Sequence, residues 1–528
     1  ITTIMDTYRP LSQMANYLLE VFEKKDSPTT EEEKITVNPI VSKFATWYER
    51  LRNAMEFRED EVVLRATIER ILKRRLLLGG TGETTGLPLI KELLWARYLP
   101  ENELPRSIVT KVEDTIDRYL KLRLLVMEKH RVPDAIINDW IYDLMSAEIQ
   151  YILNPKHKKE VMTNFMFHVL RDDVEILDDT KETKDAQVFM AVRKAFARDD
   201  LAFLRYHMFV QYFGKLTPET FDFTVEHFLK GYKEILKQLN YPLKDKIYAY
   251  VKRRTAVWFI LEDILDLGKD NLKSFLENKE ALQEAVFAAC ETRYHGIDSK
   301  VKRAVIRSVI FILMTKVAFA FAIEGTYERI FYGHILWGSM IINIVIPPLL
   351  MVVVSFFIRT PGKSNSERIH TFITQLLFEE NPQLGKRLVT AKNQKRSGAL
   401  VIAFDILWLG AFIISFGSII LILSSLEFTI ISMGIFTFFL AIVSFLAYRI
   451  ALLANVYRVG DTQGLGTLLV DFLFMPVIRT GRKLTQSISQ VNIFLFLFDF
   501  LIEAPFKLLF AFFDQWFYYL HAKSEDLG

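Results

Sequence analysis

Residues 330–358 read IFYGHILWGSMIINIVIPPLLMVVVSFFI and contain no Asp, Glu, Lys or Arg. Crossing a hydrocarbon core takes about 20 consecutive, mainly apolar residues in an α-helix, because every backbone polar group must then be satisfied within the segment. This stretch therefore predicts a membrane span, and three others accompany it. Residues 428–448 are also uncharged, 397–426 carry only Asp405, and 308–323 carry only Lys316. The composition agrees: of 528 residues 51% are hydrophobic and 43 are Phe.

The fold class expected is all-α, a polytopic helical membrane protein with about four transmembrane helices. Lys and Arg in the flanking segments orient it. Seventeen fall before the first span, between the second and third, and after the fourth, from Lys300 to Lys483; the opposite side offers only Arg329, in a short turn at 324–329. By the positive-inside tendency the long loops and everything before residue 300 are expected to be cytoplasmic. A multi-pass protein of the plasma (inner) membrane is the expected location.

Residues 1–299 read as a cytoplasmic α-helical domain, or two packed subdomains. Leu64, Ile68, Ile71 and Leu72 recur at helical spacing, as do Ile108, Val112, Ile116 and Tyr119. Thr217-Pro218-Glu219 has the form of an N-cap followed by Pro at the first helical position. The chain opens on Ile1, and its first residues, with Asp6, Arg9 and no long apolar run, do not read as a secretion signal.

The membrane region is expected at 300–455. Within it, the loop 359–398 carries an amphipathic helix, with Ser366 as its cap and Ile369, Phe372, Ile373, Leu376 and Leu377 on one face. Its basic residues suit anionic lipid headgroups at the cytoplasmic face, and docking of this helix onto the N-terminal domain is the equal alternative. Residues 456–528 are expected to form interfacial or re-entrant helices. Segment 462–478 contains Gly464, Gly466, Asp471 and Pro476, while Asp499, Glu503, Lys507 and Asp514 form a narrow polar stripe opposite a Phe-rich face.

Two features in the spans point to chemistry. Lys316 and Asp405 each lie nine residues past a basic residue, Arg307 and Arg396. At 1.5 Å per residue that places both roughly 13 Å into the bilayer. An unpaired Lys at a helix centre costs about 2.5–3.5 kcal/mol, so an ion pair Lys316–Asp405 is expected, either pinning two helices or lining an ion path. Pro347-Pro348 predicts a kink in the second span, with Asn343 one turn earlier available to the freed backbone groups.

Elsewhere the sequence discourages specific chemistry. Gly79, Gly80, Gly82 and Gly86 lie in a stretch without the Lys-Ser/Thr ending of a phosphate loop, and it reads as a flexible helix connection. The acidic run Asp172 to Asp185 lacks calcium-loop spacing and reads as a solvated connection. The nine His are scattered and the single Cys290 excludes an intramolecular disulfide and a cysteine-based zinc cluster, so no cofactor, metal or catalytic site is expected. A net charge of +3 argues against a nucleic-acid coat. Minimal outer loops and a large inner domain favour a membrane-anchored scaffold or regulatory adaptor, with a protein partner or homo-oligomerisation. The alternative is a transporter or channel component built around the Lys-Asp pair.

Overall fold

The computed structural model describes residues 10–23, 33–38, 60–77, 79–101, 103–267, 272–392, 398–426, 428–460 and 465–490, with 42, 43, 45, 46, 49, 512 and 516. The chain divides into two compact units. Of the described residues, the helical unit takes those within Tyr17–Lys252, Lys386–Lys392 and Ile493–Gly528, the membrane unit those within Ile1–Asn16, Arg253–Gly385 and Asn393–Asn492. Helix α1 (Gln13–Glu23) crosses from one to the other.

The helical unit continues with α2 (Asp60–Leu77), α3 (Gly82–Trp95), α4 (Ser107–His130), α5 (Asp134–Leu153), α6 (His157–Leu170), strand β1 (Val174–Ile176), α7 (Lys181–Val192), α8 (Leu201–Phe213), α9 (Pro218–Leu239) and α10 (Lys244–Lys252). The two expected stripes form its core: Ile68, Ile71, Leu72, Val112, Ile116 and Tyr119 are fully buried. Each such aliphatic side chain contributes about 1.5–3 kcal/mol relative to exposure. Thr217 caps α9 as expected, and its N–H donates to the Thr220 hydroxyl at 2.9 Å.

Two connections differ from their sequence reading. The glycine stretch is largely helix: Thr81 caps α3 through a reciprocal box with Thr84. A Cβ on Gly82 would fall 2.3 Å from the Glu113 carbonyl oxygen, and one on Gly86 2.5 Å from Glu113 Cγ. These glycines are small so that α3 can approach α4, not flexible. The acidic run likewise contains β1, which pairs in parallel with β2 (Leu388–Thr390) in the register Val174–Leu388, Glu175–Val389, Ile176–Thr390. Two of its carboxylates are engaged, while Asp172, Glu175 and Glu182 are exposed. Asp178 accepts from the Lys392 N–H at 2.6 Å and Asp179 from the Tyr241 hydroxyl at 2.9 Å.

The membrane unit holds α11 (Thr255–Leu265), α12 (Leu272–Glu277), α13 (Lys279–Phe319), α14 (Thr326–Phe331), α15 (Trp337–Ser355), α16 (Lys363–Phe378), α17 (Gly398–Ser425), α18 (Ile430–Ala454) and α19 (Leu465–Gln490). Among the described residues four helical stretches are long and apolar enough to cross a membrane: Lys279–Phe331, Trp337–Ser355, Ile402–Ser425 and Ile430–Ala454. They coincide with the four spans read from sequence. The first, however, is one continuous stretch in which α13 passes through a π-helical segment, Ala320–Gly325, into α14. The expected boundary at residue 299 falls inside α13, and the expected turn at 324–329 is helix. Outward side chains such as Phe404, Ile406 and Leu407 are exposed, as lipid-facing positions are.

In the loop 359–398, α16 buries Ile369, Ile373, Leu376 and Leu377 within the unit. Its N-cap is Gly362, not Ser366, whose hydroxyl instead meets Tyr294 at 3.3 Å. The same corner holds Asn365, which donates to the Tyr457 carbonyl at 2.7 Å and accepts from the Val459 N–H at 2.8 Å. Arg293 there forms a two-point ion pair with Asp263 at 2.5 and 2.6 Å.

From Leu465, segment 462–478 is part of one helix, α19, which runs on through Pro476 to Gln490 and packs along α18 and α17. The Arg479 guanidinium lies 4.8 Å from the Trp408 ring centroid. Contact with α18 depends on Gly481, where a Cβ would stand 1.9 Å from the Ala441 carbonyl oxygen. Gly481→Ala is expected to cost about 1–3 kcal/mol by forcing the two backbones apart. A detergent melt of the full chain that is unchanged by this substitution would refute the close packing. The stripe Asp499, Glu503, Lys507 and Asp514 lies outside the described residues.

Candidate functional site: buried charge in the apolar helices

Every fourth residue along the first span faces inward: Ile312, Lys316, Ala320, Glu324 and Glu328 are buried, with all three charged side chains at 0% exposure. A straight α-helix cannot do this. Eight residues at about 100° each leave Lys316 and Glu324 roughly 80° apart. The wider π turns at 320–325 take up extra chain, and absorbing one residue brings the pair to within about 20°. The π segment thus aligns an ammonium and two carboxylates on one face.

The partner of Lys316 is Asn343 of α15: its ammonium donates to Asn343 Oδ1, and Asn343 Nδ2 donates to Glu324 Oε2 at 2.7 Å. One amide thereby joins the ammonium on one helix to a carboxyl oxygen on the same span through a donor and an acceptor of its own. Phe439 of α18 closes the other side, with its ring centroid 4.5 Å from Lys316 Nζ. One turn further, Glu328 Oε2 accepts from the Leu336 N–H at 2.8 Å, and Oε1 from the Ser432 hydroxyl at 3.5 Å. Ser432 is set by Thr429, the N-cap of α18, whose hydroxyl donates to it at 2.8 Å.

Asp405 is not part of this chain. It is exposed on α17 between Phe404 and Ile406 and makes no hydrogen bond or ion pair among the described residues. Equal depth sets only one coordinate; the direction around each helix sets the other, and α17 packs on α18 and α19. The role expected of Asn343 also changes. Its side chain bridges Lys316 and Glu324 instead of serving the backbone freed by Pro347 and Pro348, both of which are buried in a helix that runs through them. Glu324 and Glu328 were unreadable as members because they stood in an apparent turn.

A second constellation lies in the helical unit. The chain makes π turns at Arg193–Ala197, then Arg198 adopts a left-handed φ of 59°. Arg193, 2% exposed, donates to Asp199 at 2.5 Å, to Glu160 at 2.6 and 2.9 Å and to the Tyr151 hydroxyl at 2.8 Å. Burial pushes the Asp199 carboxyl up, but Arg193 and His207 together hold it below the usual range. His207 is pushed down by burial and by Arg193. Gln150, Asn154, Lys156 and Lys159 line a small pocket beside it.

Next to this cluster, Arg65 donates to Asp200 and to Glu69, each at 2.7 Å, while Arg205 holds Asp143. Burial, followed by the nearby Glu69, pushes Asp143 up to about 6 against the pull of Arg205 and Arg65. With its folded value above the unfolded one, protonated Asp143 favours the folded unit at low pH, and that contribution is lost as pH rises through about 6. A carboxyl titration centred there, absent from Asp143→Asn, is the expected infrared result. A titration in the ordinary aspartate range would contradict it.

Comparison with protein-family models, with curated proteins and with solved structures returns no match.

Proposed function

We propose that the protein is a membrane-anchored scaffold or regulatory adaptor that presents its helical unit on the cytoplasmic side. The observation carrying this reading is the return of the loop between the second and third spans into that unit. Lys386–Lys392 belongs to it: β2 pairs with β1, the Lys246 ammonium donates to the Thr390 hydroxyl at 2.8 Å, and the Tyr250 hydroxyl donates to the Lys386 carbonyl at 3.1 Å. The chain thus enters this unit from the apolar helices at widely separated positions, which supports a role in which the unit receives partners at the membrane. Purification from native membranes in mild detergent, with the particle mass measured, is expected to yield a stoichiometric protein partner. A particle containing only this chain would remove the reading.

A second reading, a transporter or channel component, is favoured by the buried Lys316–Asn343–Glu324 chain, since charges inside spans mark ion and proton routes more often than charges elsewhere. Four spans would then work as an oligomer. Liposomes containing the protein are expected on this reading to pass cations or protons, and to lose flux in Asn343→Leu. Tight liposomes under every ionic gradient would exclude it.

A further inference from the structure

The charge balance in the span carries an inference independent of both functional readings. Lys316 brings one positive charge from α13, whereas Glu324 from the π segment and Glu328 from α14 bring two carboxylates. Among the described residues no second cation pairs with them, and Arg329, next to Glu328 on α14, is exposed. Helix α15 has no ionisable side chain, and α18 has only Tyr448 and Arg449, nine and ten residues beyond its contact with the cluster at Phe439. Fully ionised, the cluster would hold one unbalanced negative charge at 0% exposure, which costs far more than neutralising it.

We propose that Glu324 and Glu328 bind one proton between them, making this cluster an intramembrane acid site whose ligand is the proton. Hydrogen bonding favours Glu324 as the resting position. Both oxygens of Glu328 face donors, Leu336 N–H and Ser432 Oγ, and these stabilise a carboxylate. Glu324 Oε1 is buried with no hydrogen-bond partner among the described residues, so it is the oxygen least suited to bear charge. An alkali cation fits the site less well. Asn343 turns its N–H toward Glu324, and its carbonyl is taken by Lys316, leaving few oxygens to replace a hydration shell.

The test is infrared difference spectroscopy on the full chain in lipid nanodiscs at neutral pH, with sodium and sodium-free buffers compared. Subtracting Glu324→Gln from the wild type is expected to leave one protonated-carboxyl band that shifts in heavy water; Asp405 and Asp143 are present in both and cancel. Charge balance makes a further demand. Glu328→Gln is expected to lose the same band, because the remaining Glu324 is then balanced by Lys316, whereas Lys316→Met is expected to double it. A subtraction showing only the loss of an ionised carboxylate, with or without sensitivity to sodium, would overturn the proposal. So would a band undiminished in Glu328→Gln. The isosteric Gln variants keep the test decisive should Lys316→Met fail to fold.

Discussion

Arg193→Met is expected to destabilise the helical unit by about 3–5 kcal/mol, the cost of leaving buried carboxylates without their cation. Asp199 is the reason the effect is large. It is 8% exposed at its side chain, and Arg193 is its closest cationic partner at 2.5 Å, with His207 at 3.4 Å and pushed toward the neutral form by burial. Tyr151 and Glu160 lose their common donor in the same step. Hydrogen exchange followed by mass spectrometry reads the result, as lost protection across α5, α6 and α8. Glu160→Gln is the informative companion. Arg193 keeps Asp199 there, so a cost of about 1 kcal/mol is expected. Equal costs for the two variants would show that no residue is central to the network.

Lys316→Met is expected to cost a comparable 3–5 kcal/mol in mixed-micelle unfolding. It strands the Asn343 carbonyl and leaves Glu328 without a balancing charge inside the apolar helices. A double-mutant cycle with Asn343→Leu identifies the partner, with a coupling of about 1–3 kcal/mol expected for groups in direct contact. The same cycle with Asp405→Leu is expected to be additive within about 0.5 kcal/mol. Strong coupling to Asp405 and none to Asn343 would restore the depth-matched ion pair and dismantle the cluster.

The alignment of Lys316, Glu324 and Glu328 depends on a local departure from α-helical geometry, which explains why a charge count along the chain overlooks it. Counted as an ordinary helix, Glu324 sits roughly 80° around from Lys316, and with Arg329 nearby it suggests a polar turn. The one available signal was the recurrence of Ile312, Lys316, Ala320, Glu324 and Glu328 at intervals of four, which only a widened turn keeps on one face. π segments are often found where a helix must re-aim side chains, and here both buried constellations contain one.

What the sequence determined by itself are the properties set by short-range periodicity and length: four apolar helices, the buried stripes of α2 and α4, the Thr217 cap and the apolar face of α16. Each depends on neighbours within a few turns, so a linear reading reaches it. Tertiary structure alone decided what meets across elements. The Lys316 partner required the azimuth of two helices as well as their depth, and the β1–β2 pair joins three-residue strands more than 200 positions apart, where no local pattern distinguishes a strand from an acidic loop. The glycines at 82, 86 and 481 show the same limit: their absent side chains have meaning only beside the backbone or side chain that occupies the space.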